Sequence, residues 1–211
     1  MHTIVQETEQ SHDIEEEVTL DDWQSLAGDL LAQNEALTQE VHRLAGLCEQ
    51  DALLKILNRR GLERALGTEI ARVERYAISS SFIFIDIDHF KEINDGYGHV
   101  EGDKMLQRLA QHIAGQLRGC DHFARLGGDE FGIILTNTTV EQAIEKAKKL
   151  SSSLGEEAKN WGNGAHQLSF SAGVSKICVR GRPSEIIMLA DQQMYLQKEK
   201  RHKKQSFLMN K

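Results

Sequence analysis

The chain has 211 residues, of which 40% are hydrophobic and 27% are charged, and its formal net charge is −7 at pH 7. This length and composition are typical of a soluble globular protein with one ordinary domain and some residues to spare. The negative charge argues against binding nucleic acid or an anionic membrane by charge alone, and no apolar run approaches the ~20 residues of a membrane span. We therefore expect no nucleic-acid partner and no membrane partner.

The N-terminal segment and the cysteines indicate the compartment. Residues 1–19 are polar and acidic and lack the basic start of a signal peptide, so we expect them to be disordered. Cys48, Cys120 and Cys178 are odd in number and have no CxxC spacing. This pattern favours a reducing environment without disulfides or a zinc site, and it predicts a cytoplasmic protein.

Residues 20–50 carry a heptad pattern. Its core positions, spaced alternately by three and four residues, are Leu20, Trp23, Ala27, Leu30, Asn34, Leu37, Val41, Leu44 and Cys48. Leucine at position d with the β-branched Val41 at position a favours a parallel pair of helices, and Asn34 at position a would specify a dimeric register. We predict a dimerising coiled coil over 20–50. The alternative is an amphipathic helix docked on its own domain.

Helices and strands alternate after residue 50. Hydrophobic periodicity predicts helices over 59–75, 102–117, 140–154 and 183 to about 200, and strands over 81–86, 123–126, 131–135 and 168–174. The strands and the helices between them follow the order β-α-β-β-α-β. This order predicts an α+β fold, a ferredoxin-like arrangement with an antiparallel-rich sheet and helices on one face.

Two acidic strand ends carry the candidate chemistry. The sequence Asp-Ile-Asp at 86–88 ends one strand, and Gly-Gly-Asp-Glu at 127–130 forms the tip of a hairpin. On neighbouring strands these carboxylates would repel one another unless a divalent cation such as Mg²⁺ offset their charge. Two such ions could clamp a phosphoryl group during transfer, and the glycines leave room for a nucleotide. The alternatives are an ordinary acidic strand end and a solvated turn.

The segment 90–103 lies between these acidic ends. Asn94 and Asp103 offer an amide and a carboxylate suited to the donor edge of guanine, and Lys91 could face a phosphate. The alternatives are a plain turn at residues 94–96 and an Asp103 side chain that caps the following helix. Asp103 could serve both purposes.

Five motifs in order carry a family resemblance: LNRR at 57–60, DIDHFKEIND at 86–95, YGH and GD within 97–103, RLGGDEF at 125–131 and LADQQMY at 189–195. Together they resemble the GGDEF-domain diguanylate cyclases over residues 51–204, and we assign 51–211 to that domain. The resemblance implies a fold like those of nucleotidyl cyclases and polymerase palms. It also implies that two GTP molecules are condensed into cyclic di-GMP and two pyrophosphates across a homodimer, whose halves the coiled coil would keep together.

The resemblance implies roles for individual residues. Two Mg²⁺ or Mn²⁺ ions per active site would be held by Asp86, the Ile87 carbonyl, Asp129 and Glu130. The catalytic residues would be Asp129, as the general base, Glu130 and Lys91. Substrate contacts would come from Phe90, Asn94, His99, Asp103, Gly127, Gly128, Lys198 and His202.

Arg118 and Asp121 form an RxxD motif just before the hairpin. This motif resembles the family's product-inhibition site, where an arginine fork contacts cyclic di-GMP. The alternative is a surface ion pair between the two side chains.

Two departures from the family pattern leave other hypotheses open. Leu54-Lys55 replaces the usual Thr-Gly, and His202 stands where the family commonly has an arginine. One alternative is a non-catalytic cyclic di-GMP effector that signals through its coiled coil, and another is a cyclase for a different nucleotide. The intact acidic turn favours an enzyme, and Asn94 with Asp103 favours guanine.

Overall fold

A computed structural model describes residues 20–47, 49–158, 161 and 168–209, and the side chains of 23–41, 44, 49–158, 161 and 168–199. The predicted disorder of residues 1–19 lies outside this range. The chain divides after Leu47 into two compact units. Among the helices described, none is both long enough and apolar enough to span a membrane.

The first unit contains one long helix, α1 (Leu20–Leu47). The predicted coiled-coil helix therefore ends three residues early, and Cys48 lies outside the described residues. Its large apolar side chains are exposed, namely Trp23, Leu26, Leu30, Leu31, Leu37, Val41 and Leu44. Among the described residues of this unit, no other element covers these apolar side chains.

The second unit contains five helices and four strands in the parts of it that the structure describes. They are α2 (Arg59–Tyr76), β1 (Ser81–Ile87), α3 (Phe90–Tyr97), α4 (His99–Ala114), β2 (His122–Gly127), β3 (Glu130–Leu135), α5 (Val140–Ala158), β4 (Phe170–Lys176) and α6 (Pro183–Met209). The strands form one sheet in the order β2-β3-β1-β4, and every neighbouring pair is antiparallel. This confirms the predicted α+β fold with its βαββαβ core.

Helices cover both faces of the sheet, so the expectation of helices on one face was wrong. On one face, Ile83, Ile85 and Ile87 of β1 pack with α3, α4 and α5. On the other, Phe82 and Phe84 pack with α2 and α6. Because consecutive strand residues point to opposite faces, the unbroken apolar run of β1 requires cover on both sides. The helices that flank the βαββαβ core supply the second layer.

The helix boundaries differ from the predictions in two places that matter for the site. Residues 94–96 belong to helix α3, because Phe90 and Ile93 at helical spacing pack into the core. Helix α4 begins at His99 rather than at residue 102. The final helix also continues to Met209, beyond the predicted end near residue 200.

Candidate active site

The acidic ends of β1 and of the β2–β3 hairpin meet at one edge of the sheet. In the register of β1 with β3, Asp86 lies opposite Glu130. The backbone nitrogen of Ile87 donates to the Asp129 carbonyl over 3.2 Å. The side chains of Asp86, Asp129 and Glu130 are half-buried. Strand pairing thus brings together the carboxylates that the sequence predicted to be neighbours.

Helix α6 adds a cation to this edge. The Lys198 Nζ atom donates to Asp86 Oδ1 over 2.5 Å, although the two residues are 112 positions apart. Burial acts to lower the pKa of Lys198, but the hydrogen bond and charge of Asp86, together with the charges of Asp88 and Asp129, outweigh it and raise the pKa. The ammonium group therefore stays charged. Lys198, predicted to contact the substrate, lies within the acidic edge.

The two carboxylates of the turn are held at an electrostatic cost. Burial raises the pKa of Asp129, and the nearby charge of Asp86 raises it further. Burial likewise raises the pKa of Glu130, followed by the charges of Asp86 and Asp191. Burial and the neighbouring negative charges both disfavour the ionised forms of Asp129 and Glu130. A cationic ligand at this edge would stabilise those ionised forms.

Asp88 plays a different part from Asp86, two residues before it. Its carboxylate accepts hydrogen bonds from the hydroxyls of Ser169 and Ser171, each over 2.7 Å. Its backbone nitrogen donates to the Ser169 carbonyl over 2.9 Å. These bonds tie the end of β1 to the start of β4, so Asp88 serves the fold.

Arg125 holds the turn in place. Arg125 Nε donates to the Gly128 carbonyl over 2.9 Å, and its Nη1 lies 3.4 Å from Asp51 Oδ2. Gly128 has a φ of +48°, a left-handed conformation that favours glycine. A Cβ added to Gly127 or Gly128 would meet no protein atom within 4 Å. Packing against other residues therefore does not require glycine at either position, and the backbone of both residues faces open space.

The predicted guanine-reading residues lie on two packed helices, α3 and α4. A Cβ on Gly102 would meet Asn94 Oδ1 at 2.0 Å and Phe90 at 3.3 Å, so the Asn94 amide rests directly against Gly102. Asp103 follows Gly102 on α4 and is exposed. Since α4 begins at His99, Asp103 lies beyond its first turn, and the interpretation of Asp103 as a helix cap is wrong.

The other predicted substrate contacts lie around this helix pair. Phe90 is buried in the core beneath α3, whereas Lys91 and His99 are exposed at the starts of α3 and α4. His202 belongs to the backbone of α6, but its side chain lies outside the described residues.

The acidic edge suits a hard divalent cation by its donor chemistry. Asp86, Asp129, Glu130 and the Ile87 carbonyl offer only oxygen ligands, which Mg²⁺ and Mn²⁺ prefer. In the described part of the chain, no three His, Cys, Asp or Glu side chains are already arranged around a common metal position. Mg²⁺ usually completes its shell with water and substrate phosphates, so these residues fit an ion that arrives with a nucleotide.

The RxxD motif lies at the other end of β2, six residues and roughly 20 Å from the turn. Asp121 accepts hydrogen bonds from the backbone nitrogens of Arg118, over 3.0 Å, and Thr136, over 3.2 Å. The side chains of Arg118 and Asp121 do not form an ion pair with each other, so the alternative of a surface ion pair is wrong. Arg118 and Asp121 border a cleft of about 460 Å³ that Lys146 and Lys149 also line.

Sequence reasoning gave no role to three charged residues at the acidic edge. Arg125 braces the turn, Arg59 Nε lies 3.5 Å from the Leu126 carbonyl, and Asp191 raises the pKa of Glu130. All three belong to motifs that carried the family resemblance. Membership in those motifs was the available signal, but only the structure shows that Arg125 on β2, Arg59 on α2 and Asp191 on α6 lie around the turn.

The fold and its acidic edge place the second unit among the palm-like GGDEF domains. Residues 48–204 match the family model described as "Diguanylate cyclase, GGDEF domain", so the chain belongs to the GGDEF diguanylate cyclase family. Diguanylate cyclase DosC of Escherichia coli K12 is 34% identical over 152 residues, which are 71% of this chain and 33% of DosC. The chain thus spans about a third of the length of that relative.

Two solved structures are similar to this chain. Diguanylate cyclase SiaD of Pseudomonas aeruginosa, solved with its activator SiaC, has a TM-score of 0.68 and 26% identity, covering 85% of this chain and 78% of SiaD. A microbial GGDEF domain solved with cyclic di-GMP has a TM-score of 0.63 and 33% identity, covering 72% of this chain and 94% of that domain.

Proposed function

We propose that this chain is a diguanylate cyclase that condenses two GTP molecules into cyclic di-GMP and two pyrophosphates. The observation that carries the proposal is the convergence of Asp86, Asp129, Glu130 and Lys198 at one sheet edge, in a chain of this family. Such an edge suits phosphoryl chemistry because it combines hard oxygen ligands with a cation for phosphate.

Each condensation forms one phosphodiester bond. The 3′-oxygen of one GTP attacks the α-phosphorus of the other, and the bond from that phosphorus to the departing pyrophosphate breaks. The 3′-hydroxyl proton passes to the Asp129 carboxylate. Two Mg²⁺ or Mn²⁺ ions, bound by Asp86, the Ile87 carbonyl, Asp129 and Glu130, would supply charge neutralisation at the phosphates. A second condensation in the reverse sense closes the ring.

The substrate is held from both sides of the acidic edge. Asn94 and Asp103 read the donor edge of guanine above Phe90, and the bare backbone of Gly127 and Gly128 lets the phosphates approach. Lys198, Lys91, His99 and His202 complete the substrate contacts in this proposal. The support for guanine is the contact of the Asn94 amide with Gly102, the residue before Asp103 on α4.

Two domains must face each other because each holds only one GTP. The exposed apolar residues of α1 support a parallel homodimeric coiled coil, with Asn34 at a core position. Such a coil raises the effective concentration of one half-site near the other. We place the protein in the cytoplasm, since the described cysteines, Cys120 and Cys178, are free thiols.

The test is a product assay on the full chain with GTP and Mg²⁺. We expect cyclic di-GMP from the parent and from Glu74→Ala, an exposed carboxylate outside the site, and none from Asp129→Ala. A folded dimer that forms no product after bound cyclic di-GMP has been stripped would overturn the proposal. Offering ATP in parallel distinguishes a cyclase for another nucleotide.

Product inhibition through the RxxD cleft is the second element of the proposal. Arg118, Lys146 and Lys149 line this cleft together with three carboxylates, so the support comes from the exposed Arg118 guanidinium, which can contact a phosphate or a guanine edge. The related GGDEF domain was solved with cyclic di-GMP. Calorimetry separates this enzyme from a non-catalytic effector, because an effector would bind cyclic di-GMP tightly without consuming GTP.

The coiled coil is tested by removing residues 1–48. We expect light scattering to detect a weaker dimer and the product assay to detect lower activity at equal protein concentration. Equal dimerisation and activity of the shortened chain would show that the heptads serve another purpose.

A further inference from the structure

A second cleft, of about 640 Å³, lies beside the acidic turn. It opens between the start of α2 and the end of β2, and Gly127 and Gly128 form part of its wall. Its charged lining residues are Arg59, Arg60, Arg125, Asp51 and Glu63. Three arginines against two carboxylates give the cleft one net positive charge, next to the acidic turn.

Two of these arginines are available to a ligand. The guanidinium of Arg125 is already bound to the Gly128 carbonyl and to Asp51. Arg59 makes a long contact, 3.5 Å, with the Leu126 carbonyl. Across the described side chains, no carboxylate lies within 4.0 Å of the guanidinium of Arg59 or Arg60. An arginine pair that forms no ion pair with any described side chain, in a concave site, favours an anion that accepts from planar guanidinium groups.

The position of the cleft indicates which anion it receives. Asn94 and Asp103 belong to α3 and α4, on one face of the sheet, whereas α2 packs on the opposite face. Arg59 also lines a smaller cleft with Glu130 and Asp191. The arginines thus flank the acidic edge from the face that does not carry the guanine-reading pair.

We infer that Arg59 and Arg60 bind a phosphate group of the nucleotide held by the second copy of the chain. This inference rests on the proposed cyclase function, in which two domains face each other across their acidic edges. An arginine fork at that position would orient the facing triphosphate and stabilise the charge that develops as pyrophosphate leaves. It also gives a purpose to the LNRR motif, which the proposed site leaves unused.

The first experiment compares two double variants of the full chain that lose the same charge. We expect Arg59→Ala/Arg60→Ala to lower kcat for cyclic di-GMP by about 100-fold, the loss typical of a removed transition-state donor. Arg180→Ala/Arg182→Ala, which removes two exposed arginines near the opposite end of the sheet, is expected to keep the parent rate. Equal rates for the two double variants would overturn the inference. The single variant Arg60→Ala guards against misfolding, because Arg60 is exposed and forms no hydrogen bond with the described side chains.

The second experiment tests whether the arginines act on the facing nucleotide. A chain with Asp129→Ala and a chain with Arg59→Ala/Arg60→Ala are co-expressed with different affinity tags, and the mixed dimer is purified through both. If the arginines act across the dimer, one complete half-site remains, and the linear dinucleotide with a single new phosphodiester bond is formed. If they act within their own domain, neither half-site is complete, and the absence of linear product contradicts the inference.

A third measurement separates this inference from the proposed function. Pyrophosphate is titrated calorimetrically into the full chain without divalent metal. Without a metal ion the carboxylates of the acidic edge do not attract anions. We expect Arg59→Ala/Arg60→Ala to bind pyrophosphate about tenfold more weakly than Arg180→Ala/Arg182→Ala. This comparison stands even if the parent makes no cyclic di-GMP, and equal affinities would exclude a phosphate site in this cleft.

Discussion

Strand β2 has charged residues at both of its ends, and the two ends are built in opposite ways. At the RxxD corner, Asp121 accepts backbone hydrogen bonds from Arg118 and Thr136. At the acidic turn, burial and the neighbouring charge of Asp86 raise the pKa of Asp129 and of Glu130. The fold supplies hydrogen bonds to the carboxylate at the corner, whereas burial and neighbouring negative charges disfavour the ionised carboxylates at the turn.

The difference separates carboxylates that maintain the structure from carboxylates kept for a ligand. The same contrast recurs at the end of β1, between Asp86 and Asp88. Asp88 accepts hydrogen bonds from two serine hydroxyls, whereas Asp86 accepts one from Lys198. A protein tolerates an unfavourable cluster where function requires it, and the rest of the fold offsets that cost. Substitutions at the two kinds of site should therefore have opposite effects on stability and activity.

The largest expected effect distinguishes Asp86 from Asp88. We expect Asp86→Asn to lower the rate of cyclic di-GMP formation by about 100- to 1,000-fold with little change in Tm, because it removes charge from the reacting edge. Asp88→Asn should lower the Tm instead, since an amide cannot accept both serine hydrogen bonds as a carboxylate does. A product assay and a thermal melt of each variant check this. The reverse pattern would break the contrast.

The next effect tests whether the proposed guanine contact of Asn94 depends on packing rather than on charge. We expect Gly102→Ala to raise the KM for GTP about tenfold, because its Cβ would displace the Asn94 amide. The control is Gly96→Ala on α3, where a Cβ would meet nothing within 4 Å. Steady-state kinetics with GTP measures both variants. An unchanged KM for Gly102→Ala would show that Asn94 does not need this position.

At the RxxD corner we expect Asp121→Ala to lower the free energy of unfolding by about 1–2 kcal/mol, because two backbone N–H groups lose their acceptor. Arg118→Ala should change it by less than about 0.5 kcal/mol, since its side chain is exposed. Urea denaturation measures the difference. Both variants should lose inhibition by cyclic di-GMP, and inhibition that survives Arg118→Ala would refute the proposed inhibitory site.

The smallest effect should be a gain in stability. A raised pKa means that the fold favours uncharged Glu130, so at pH 7 its charge costs stability. Glu130→Gln should therefore raise the Tm of the metal-free protein by about 1 °C, a small value because the side chain is half-exposed. Glu74→Gln, at an exposed carboxylate elsewhere, is the control for scanning calorimetry. A lower Tm for Glu130→Gln would mean that its carboxylate supports the fold.

Local patterns were sufficient to predict much of this protein. The apolar run of β1 and the Gly-Gly hairpin predicted adjacent strands, and their acidic ends predicted the carboxylate edge that the register of Asp86 with Glu130 confirms. These features are readable because a strand's period and a hairpin's turn are encoded within a few neighbouring residues. The sequence by itself therefore determined the sheet core and its family.

Only the tertiary structure decided which charged residues meet. Lys198 reaches Asp86 from 112 positions away, Asp88 turns to the serines of β4, and Arg59 borders the acidic turn. The second helical layer was likewise invisible, although β1 is apolar on both faces. Such contacts depend on how the helices pack across the sheet. Hydrophobic periodicity shows which face of a helix is buried, but it does not show which element that face packs against.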